Sequence, residues 1–211
     1  GTEIKGGVCY FLWDRDNFGQ CLVTTYGQNS YVSTLERELL VDGVDVFIRF
    51  NEGISIYEKV VGFGERKFSS IVSARKPFGL STSFKVNPAK NNDIIVLYTN
   101  KEIASISRAE IVSNKDWVDK YKVFISYAYG AGEDFPHQII NKPILGLPNS
   151  ACTETYLVIG PFINQSTAEN AMSYMRSKFF RFMVLLLKNS QHATSKVYSI
   201  APLQDFSKPW T

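Results

Sequence analysis

The sequence has no strong excess of charge of either sign and no long hydrophobic run. It carries 23 lysines and arginines against 20 aspartates and glutamates, for a formal net charge of +3. So mild a balance permits a nucleic-acid partner but does not require one. The most apolar stretch, 179–187, is far shorter than the ~20 residues of a membrane-spanning helix, so no span and no membrane partner are predicted.

Cysteine and histidine are also scarce. The three cysteines, Cys9, Cys21 and Cys152, are odd in number, and their spacing fits no metal motif. The two histidines, His137 and His192, lie far apart, with no cysteine or histidine at zinc-ligand spacing. We therefore predict reduced, mostly buried thiols in a cytoplasmic protein, without a disulfide framework and without a metal site.

Common catalytic motifs are missing as well. The chain contains no P-loop and no Gly-x-Ser-x-Gly motif. The segment 62–67 (GFGERK) begins like a dinucleotide-binding loop, but it lacks the third glycine and follows a predicted helix. Glu3-Ile4-Lys5, with Asp14 and Asp16, matches part of a nuclease motif, although solvated strand ends explain such common residues better. No catalytic residue is predicted.

Features suited to binding are better represented. Aromatic residues make up 14% of the chain, and those outside the core are available for stacking. Glycine lets backbone amides approach a phosphate closely, and a neighbouring lysine or arginine supplies charge. Glycine lies beside a basic or aromatic residue in Lys5-Gly6-Gly7, in Arg75-Lys76-Pro77-Phe78-Gly79 and in Tyr129-Gly130-Ala131-Gly132. An ordinary turn explains any one of them, but three together, with polar loops at 148–155 and 189–196, favour a nucleic-acid groove.

One helix carries a basic stripe. Lys178, Arg181 and Lys188 fall within one sector of a predicted helix, at about 100° per residue. A solvated helix face is the simpler interpretation of this stripe.

Periodicity and turn chemistry predict an α+β fold in one domain over residues 1–211, with mixed, mainly antiparallel strands and three or four helices. The predicted helices begin at Asn51 as N-cap, at 69 and at a Ser166–Glu169 capping box that opens one long helix through Leu186. A hairpin is predicted between 8–13 and 20–26, and a strand pair between 93–99 and 104–112. Further strands are predicted at 44–50, 122–129, 138–140, 156–159 and near the C-terminus at 196–200.

Several long strings resemble one family in the same order. They are IKGGVCYFLWDRD (4–16), RKPFGLSTSFK (75–85), AYGAGEDFPHQIINKP (128–143), CTETYLVIGPF (152–162), KFFRFMVLLLKNSQHA (178–193) and PLQDFSKPWT (202–211). This pattern resembles the C-terminal, TaqI-like target-recognition region of adenine-specific DNA methyltransferases from bacterial restriction–modification systems. Some of these type II enzymes carry a nuclease fused to the methylase.

The resemblance implies that the chain is a C-terminal fragment of a longer methyltransferase, with a target-recognition-like fold. In that family an N-terminal methyltransferase domain carries a glycine-rich S-adenosylmethionine motif and an Asn-Pro-Pro-Tyr motif for the flipped adenine. Neither motif occurs in these 211 residues. The resemblance therefore implies that the fragment binds double-stranded DNA and contacts its own methyltransferase domain, while the parent protein binds the cofactor.

Nine residues are predicted to line the DNA groove. They are Lys5, Gly6, Gly7, Lys76, Tyr129, His137, Thr153, Gln191 and His192. The two lysines would hold phosphates, whereas the threonine, glutamine and second histidine carry donors and acceptors suited to base edges. An equally simple alternative is that His137 and Gln191 satisfy buried loop carbonyls.

Two functions remain open at this point. The first is a DNA target-recognition module, and the second is a protein–protein module that docks a methylase or nuclease partner through aromatic surface. Salt-dependent, sequence-preferring binding to duplex DNA would favour the first, and binding to a partner protein alone would favour the second. An autonomous nuclease would need a metal site that the sequence does not predict.

Overall fold

The computed structural model describes residues 8–27, 30–86, 93–130 and 138–209. In these ranges the helices are α1 (Asn51–Gly62), α2 (Gln165–Arg176) and α3 (Lys178–Leu187). The strands are β1 (Cys21–Tyr26), β2 (Val32–Arg37), β3 (Ile94–Tyr98), β4 (Ile103–Ser107), β5 (Tyr121–Ser126), β6 (Ile144–Gly146), β7 (Ser150–Cys152) and β8 (Tyr156–Phe162). The predicted α+β class is confirmed.

The strands of the described ranges form three small sheets. β1 pairs with β2, the second sheet has the order β4-β3-β7, and the third has the order β6-β5-β8. The β3–β7 pair is parallel and the other pairs are antiparallel, as predicted for a mainly antiparallel fold. The strands predicted at 93–99 and 104–112 pair as β3 and β4.

The β6-β5-β8 sheet lies between two hydrophobic clusters. Val123 and Ile125 of β5 belong to the cluster that also contains the buried faces of α2 and α3. Phe124, between them, belongs to the other cluster, with Ile95 and Leu97 of β3. Because successive side chains of a strand point to opposite faces, β5 is covered on both sides.

The predicted hairpin at the start of the chain is wrong. Residues 8–13 are described without a strand, and β1 pairs instead with β2, in the register Cys21↔Arg37 to Tyr26↔Val32. The buried Arg37 side chain at the end of β2 donates from Nη2 to the Ile48 carbonyl at 2.6 Å. This hydrogen bond ties the end of β2 to the stretch that precedes α1.

The strand predicted at 44–50 is also absent from the structure. The Ile48 and Arg49 carbonyls of this stretch accept from side chains rather than from a neighbouring strand. The Thr25 hydroxyl donates to the Arg49 carbonyl at 2.7 Å, and Arg37 Nη2 donates to the Ile48 carbonyl. Since buried carbonyls need only some donor, these side chains remove the requirement for a strand ladder.

α1 begins at Asn51, but not because Asn51 caps it. Phe50 is the N-cap, without a side-chain hydrogen bond. The buried Asn51 side chain instead accepts a hydrogen bond from Arg37 Nε at 3.0 Å and donates to the Val23 carbonyl at 3.0 Å. A network with the β1–β2 ribbon therefore takes the place of the predicted cap.

The single long helix predicted near the C-terminus is two helices. Asn164, rather than Ser166, caps α2 by accepting from the Thr167 N–H at 2.9 Å. Ser177 has an extended backbone and caps α3 by accepting from the Phe180 N–H at 3.1 Å. The chain bends there because the serine hydroxyl competes with the helical hydrogen-bond ladder.

Three further predicted elements differ. The helix predicted from residue 69 is a 3₁₀ turn, Phe68–Ile71, after which Ser73 exchanges hydrogen bonds with Val158 of β8. Residues 138–140 form no strand, and the predicted C-terminal strand is a 3₁₀ turn, Ser195–Tyr198. In each case tertiary contacts outweigh a short local pattern.

Lys122 is a buried lysine on β5. The residue has 0% exposure, and its ammonium donates to the carbonyls of Val118 at 3.1 Å, Lys120 at 2.7 Å and Leu147 at 3.2 Å. Burial lowers the pKa of Lys122 to about 8. These three bonds join the turn before β5 to the β6–β7 connection.

The three cysteines are free. Cys9 is exposed, Cys21 is half-buried and Cys152 is buried. Burial raises the pKa of the Cys152 thiol well above its usual range.

Candidate nucleic-acid interface

Two loops distant in sequence lie side by side after β5 and α3. The Tyr129 N–H donates to the Gln191 carbonyl at 2.9 Å, and the Ala193 N–H donates to the Tyr127 carbonyl at 2.7 Å. Ala128 forms an isolated antiparallel bridge with His192. Three predicted site residues, Tyr129, Gln191 and His192, are thus brought together.

An aromatic stack adjoins this pairing. The rings of Tyr127 and His192 lie 5.1 Å apart at 34°, and the Arg75 guanidinium carbon lies 4.9 Å from the centroid of the Tyr127 ring. A guanidinium over an aromatic face is held by a cation–π attraction. The stack therefore fixes a cation and an imidazole at one surface, where both Arg75 and His192 are exposed.

Arg75 also contacts a carboxylate. Its Nε lies 3.3 Å from Oε2 of Glu154, while Oε1 accepts from the Thr82 N–H at 3.0 Å and from the Thr82 hydroxyl at 3.3 Å. The pKa of Glu154 is lowered, chiefly by the Thr82 N–H and then by the positive charges of Arg75 and Lys76.

The turn that carries Lys76 is built for this position. Lys76 has a positive φ of 63°, and its carbonyl accepts from the Gly79 N–H at 3.0 Å. Phe78 is fully buried, and the Asn114 amide donates to the Pro77 carbonyl at 2.6 Å. The buried Phe78 ring anchors the turn in the core, and the exposed Lys76 places its charge at the surface.

We call this region the Arg75 surface. It comprises Arg75, Lys76, Thr82, Tyr127, Glu154, Gln191 and His192. It joins four stretches of the chain and carries two permanent cations, one carboxylate and exposed polar and aromatic groups. Gln191 is exposed.

The basic stripe of α3 lies partly beneath this surface. Lys178 is exposed, Arg181 is half-buried and Lys188 is buried. The Lys188 ammonium donates to the Tyr129 carbonyl at 2.8 Å, and Arg181 Nη1 donates to the Gln138 carbonyl at 3.3 Å. The stripe is therefore not a solvated face, because two of its members hold the loop that follows β5.

The other predicted site residues are placed differently. Thr153 is 1% exposed and donates its hydroxyl to Thr155 at 3.1 Å, so it lies below the surface and cannot meet a base edge there. Lys5, Gly6, Gly7 and His137 lie outside the described residues.

Four members of the Arg75 surface were not predicted as site residues: Arg75, Thr82, Tyr127 and Glu154. A sequence cue existed for Arg75, which lies beside Lys76 in the same glycine-containing stretch. Glu154 lies in the polar loop 148–155, but no local pattern links it to Thr82, because the hydrogen bond between them joins positions 72 residues apart.

Metal and membrane features were also sought in the described ranges. No group of three or more His, Cys, Asp or Glu residues there could hold a metal ion. None of the helices described is long and apolar enough to cross a membrane.

Comparison with family models, with curated proteins and with solved structures finds no match to this chain.

Proposed function

We propose that this chain is the sequence-specific DNA-recognition region of a bacterial restriction–modification adenine-specific DNA methyltransferase. The parent protein acts in the cytoplasm and binds S-adenosylmethionine in a domain that precedes this region. The region itself carries no catalytic residue and binds no cofactor. Its partners are double-stranded DNA and the methyltransferase domain of the same protein.

One observation carries the proposal. Lys76, Gln191 and His192, which the sequence marked separately as phosphate-contacting and base-contacting, all belong to the Arg75 surface, and the predicted Tyr129 is hydrogen-bonded to Gln191. Arg75 and Lys76 supply the charge that duplex backbones attract, and most protein–DNA hydrogen bonds go to phosphates. Gln191 and His192 are exposed beside them, with side chains that can bond to base edges.

The arrangement suits a division of labour. The Arg75–Tyr127 stack and the Lys76 turn hold cations at fixed positions, which would set the register of the duplex. Gln191 lies in the loop that follows α3, and its backbone carbonyl accepts a hydrogen bond from the Tyr129 N–H. This bond would hold the loop so that the Gln191 side-chain amide faces a groove of the DNA. Glutamine pairs well with adenine, and adenine is the base that this class of methyltransferase modifies.

The test is a binding titration of the 211-residue protein with fluorescent duplexes between 50 and 200 mM salt. A random duplex pool is expected to bind with an affinity that falls steeply as salt rises. Repeated selection from the pool is expected to enrich one sequence that binds at least ~10³-fold more tightly than the pool. Absence of any salt-dependent binding would contradict the proposal.

A second function, docking to another protein, is favoured by a separate observation. Phe11, Leu12 and Trp13 are 85%, 94% and 74% exposed, and Tyr10 and Phe18 nearby are exposed as well. A contiguous stretch of exposed apolar side chains marks a surface that another protein covers. We assign this stretch to contact with the methyltransferase domain of the parent protein, which is compatible with DNA binding elsewhere.

Docking is tested by mixing the 211-residue protein with the upstream part of its own reading frame and measuring complex formation by sedimentation. Leu12→Asp is expected to weaken the complex at least ~10-fold, since a charge would be buried without a partner. Phe63→Asp, at an exposed aromatic that follows α1, is the matched control and is expected to have no effect. If the wild-type protein binds this partner but no DNA, docking is the principal function.

A further inference from the structure

The Glu154 carboxylate sits among donors suited to an anion. A backbone N–H and a hydroxyl of Thr82 reach one carboxylate oxygen at 3.0 and 3.3 Å, and Arg75 Nε reaches the other at 3.3 Å. Lys76, the next residue along the chain from Arg75, is exposed and adds a second positive charge. Backbone amides, hydroxyls and guanidinium groups are the same donors that proteins offer to phosphate oxygens.

The Glu154 carboxylate lies near the surface on a fixed backbone. The Glu154 backbone is fixed, because its N–H donates to the Leu80 carbonyl at 2.9 Å. Its side chain is 18% exposed and its partner Arg75 is 56% exposed, so the ion pair faces water. Ion pairs at the surface contribute little to stability, and a glutamate side chain can rotate away without moving the backbone.

We propose that Arg75, Lys76 and Thr82 form a binding site for a backbone phosphate of duplex DNA, and that Glu154 occupies it in the free protein. The inference rests on the proposed DNA-binding function. Glu154 then acts as an internal competitor, which lowers the affinity for all duplexes alike. Because this competition is the same for every duplex, it raises the concentration at which random DNA binds and leaves the ratio of cognate to random affinity unchanged.

The test is Glu154→Gln, which removes the charge but retains an oxygen that can accept from Thr82. Affinity for a random duplex is expected to rise about 3- to 10-fold at 100 mM salt, because a like charge no longer faces the phosphate. Glu58→Gln, on the exposed side of α1, makes the same change in net charge and is expected to raise affinity less than 2-fold by the general field alone. Unchanged or weaker binding by Glu154→Gln would overturn the inference while leaving the proposed function standing.

A second measurement needs no DNA. Inorganic phosphate, compared with chloride at equal ionic strength, is expected to raise the Tm of Glu154→Gln more than that of the wild-type protein. The gain is expected to vanish when Arg75→Ala is added to Glu154→Gln. If phosphate stabilises Glu154→Gln but no duplex binds to either protein, the anion site stands and the proposed DNA function fails. If phosphate has no effect on either protein, the anion site itself is wrong.

Discussion

The backbone N–H of Tyr129 donates to the carbonyl of Gln191 over 2.9 Å. This bond ties the loop after β5 to the loop after α3. The Tyr129 carbonyl, in turn, accepts from the buried Lys188 ammonium at 2.8 Å. Two residues that the sequence assigns to one DNA groove are therefore held in fixed register by the backbone, and their side chains can be tested separately.

Lys76→Ala is expected to weaken binding to all duplexes alike and to lower the salt slope by about 1, because one phosphate contact is lost. Lys59→Ala, an exposed lysine in the last turn of α1, is the matched control. Fluorescence titrations of cognate and random duplexes at several salt concentrations give both quantities. A loss confined to the cognate duplex would show that Lys76 contacts a base rather than a phosphate.

Gln191→Ala is expected to cost about 1–3 kcal/mol on the selected cognate duplex and to leave random-duplex binding unchanged, because a base-edge hydrogen bond carries the sequence preference. Gln20→Ala changes another exposed glutamine, before β1, and serves as the control. Equal losses on both duplexes would exclude Gln191 as a base-contacting residue.

The 211-residue protein is expected to give no heat in a calorimetric titration with S-adenosylmethionine, because both cofactor and adenine-pocket motifs of the methyltransferase family are missing from its sequence. Tritiated methyl groups should likewise fail to reach DNA. A micromolar dissociation constant would contradict the assignment of cofactor binding to the preceding domain.

Lys122→Met is expected to lower the free energy of unfolding at pH 7 by about 2–4 kcal/mol, because buried carbonyls lose their donor. The three affected carbonyls belong to Val118, Lys120 and Leu147. Urea unfolding of both proteins measures the difference. Lys120→Met, at an exposed lysine two positions earlier, is the control for the loss of charge.

The same pair of proteins has an expected pH dependence. Lys122 has a pKa of about 8 in the folded protein against an ordinary value of 10.5, so above pH 8 the unfolded chain retains a proton that the folded protein has released. The contribution of Lys122 to the free energy of unfolding therefore rises with pH, by up to about 2 kcal/mol between pH 8 and 9.5. The other titrating groups are the same in both proteins, so they cancel when the free energy of unfolding of Lys122→Met is subtracted from that of the wild type. This difference should therefore show the rise. A flat difference would mean that the carbonyls keep Lys122 charged.

Thiol labelling is expected to separate the three cysteines. Cys9 is exposed and should react fastest, whereas Cys152 is buried, with its thiol pKa raised, and should react after unfolding. Cys9→Ser should abolish the fast phase. The denatured, unreduced protein should yield three thiols, and a count of one would reveal a disulfide.

Elements with strong local patterns could be predicted from the sequence. The β3–β4 pair follows two β-rich runs around the turn-forming Asn100, and α1 follows from apolar residues at helical spacing. The stretch 44–50 has equally good strand composition, yet side chains from elsewhere satisfy its carbonyls. These donors lie outside residues 44–50, so the sequence of that stretch alone could not show that it forms no strand.

In the candidate site too, local patterns indicated some residues, whereas others depend on tertiary contacts. Glycine-containing and polar loops indicated Lys76, Tyr129, Gln191 and His192 without reference to any structure. Glu154 was missed because its partners, Arg75 and Thr82, lie more than 70 positions away, as the 72-residue separation from Thr82 shows. The burial of Thr153 could not be predicted from the sequence, because burial depends on packing rather than on residue type.

The double coverage of the β6-β5-β8 sheet has a consequence for the unfolded chain. Strands with one wet face alternate apolar and polar residues, but β5 and β8 carry the unbroken apolar runs 123–125 and 157–159. Short apolar segments of high β-propensity and low charge associate with copies of themselves when exposed. Lys122, at the edge of the first run, is the kind of charged residue that opposes such stacking. Refolding from denaturant is therefore expected to compete with aggregation, with a yield that falls as the protein concentration rises.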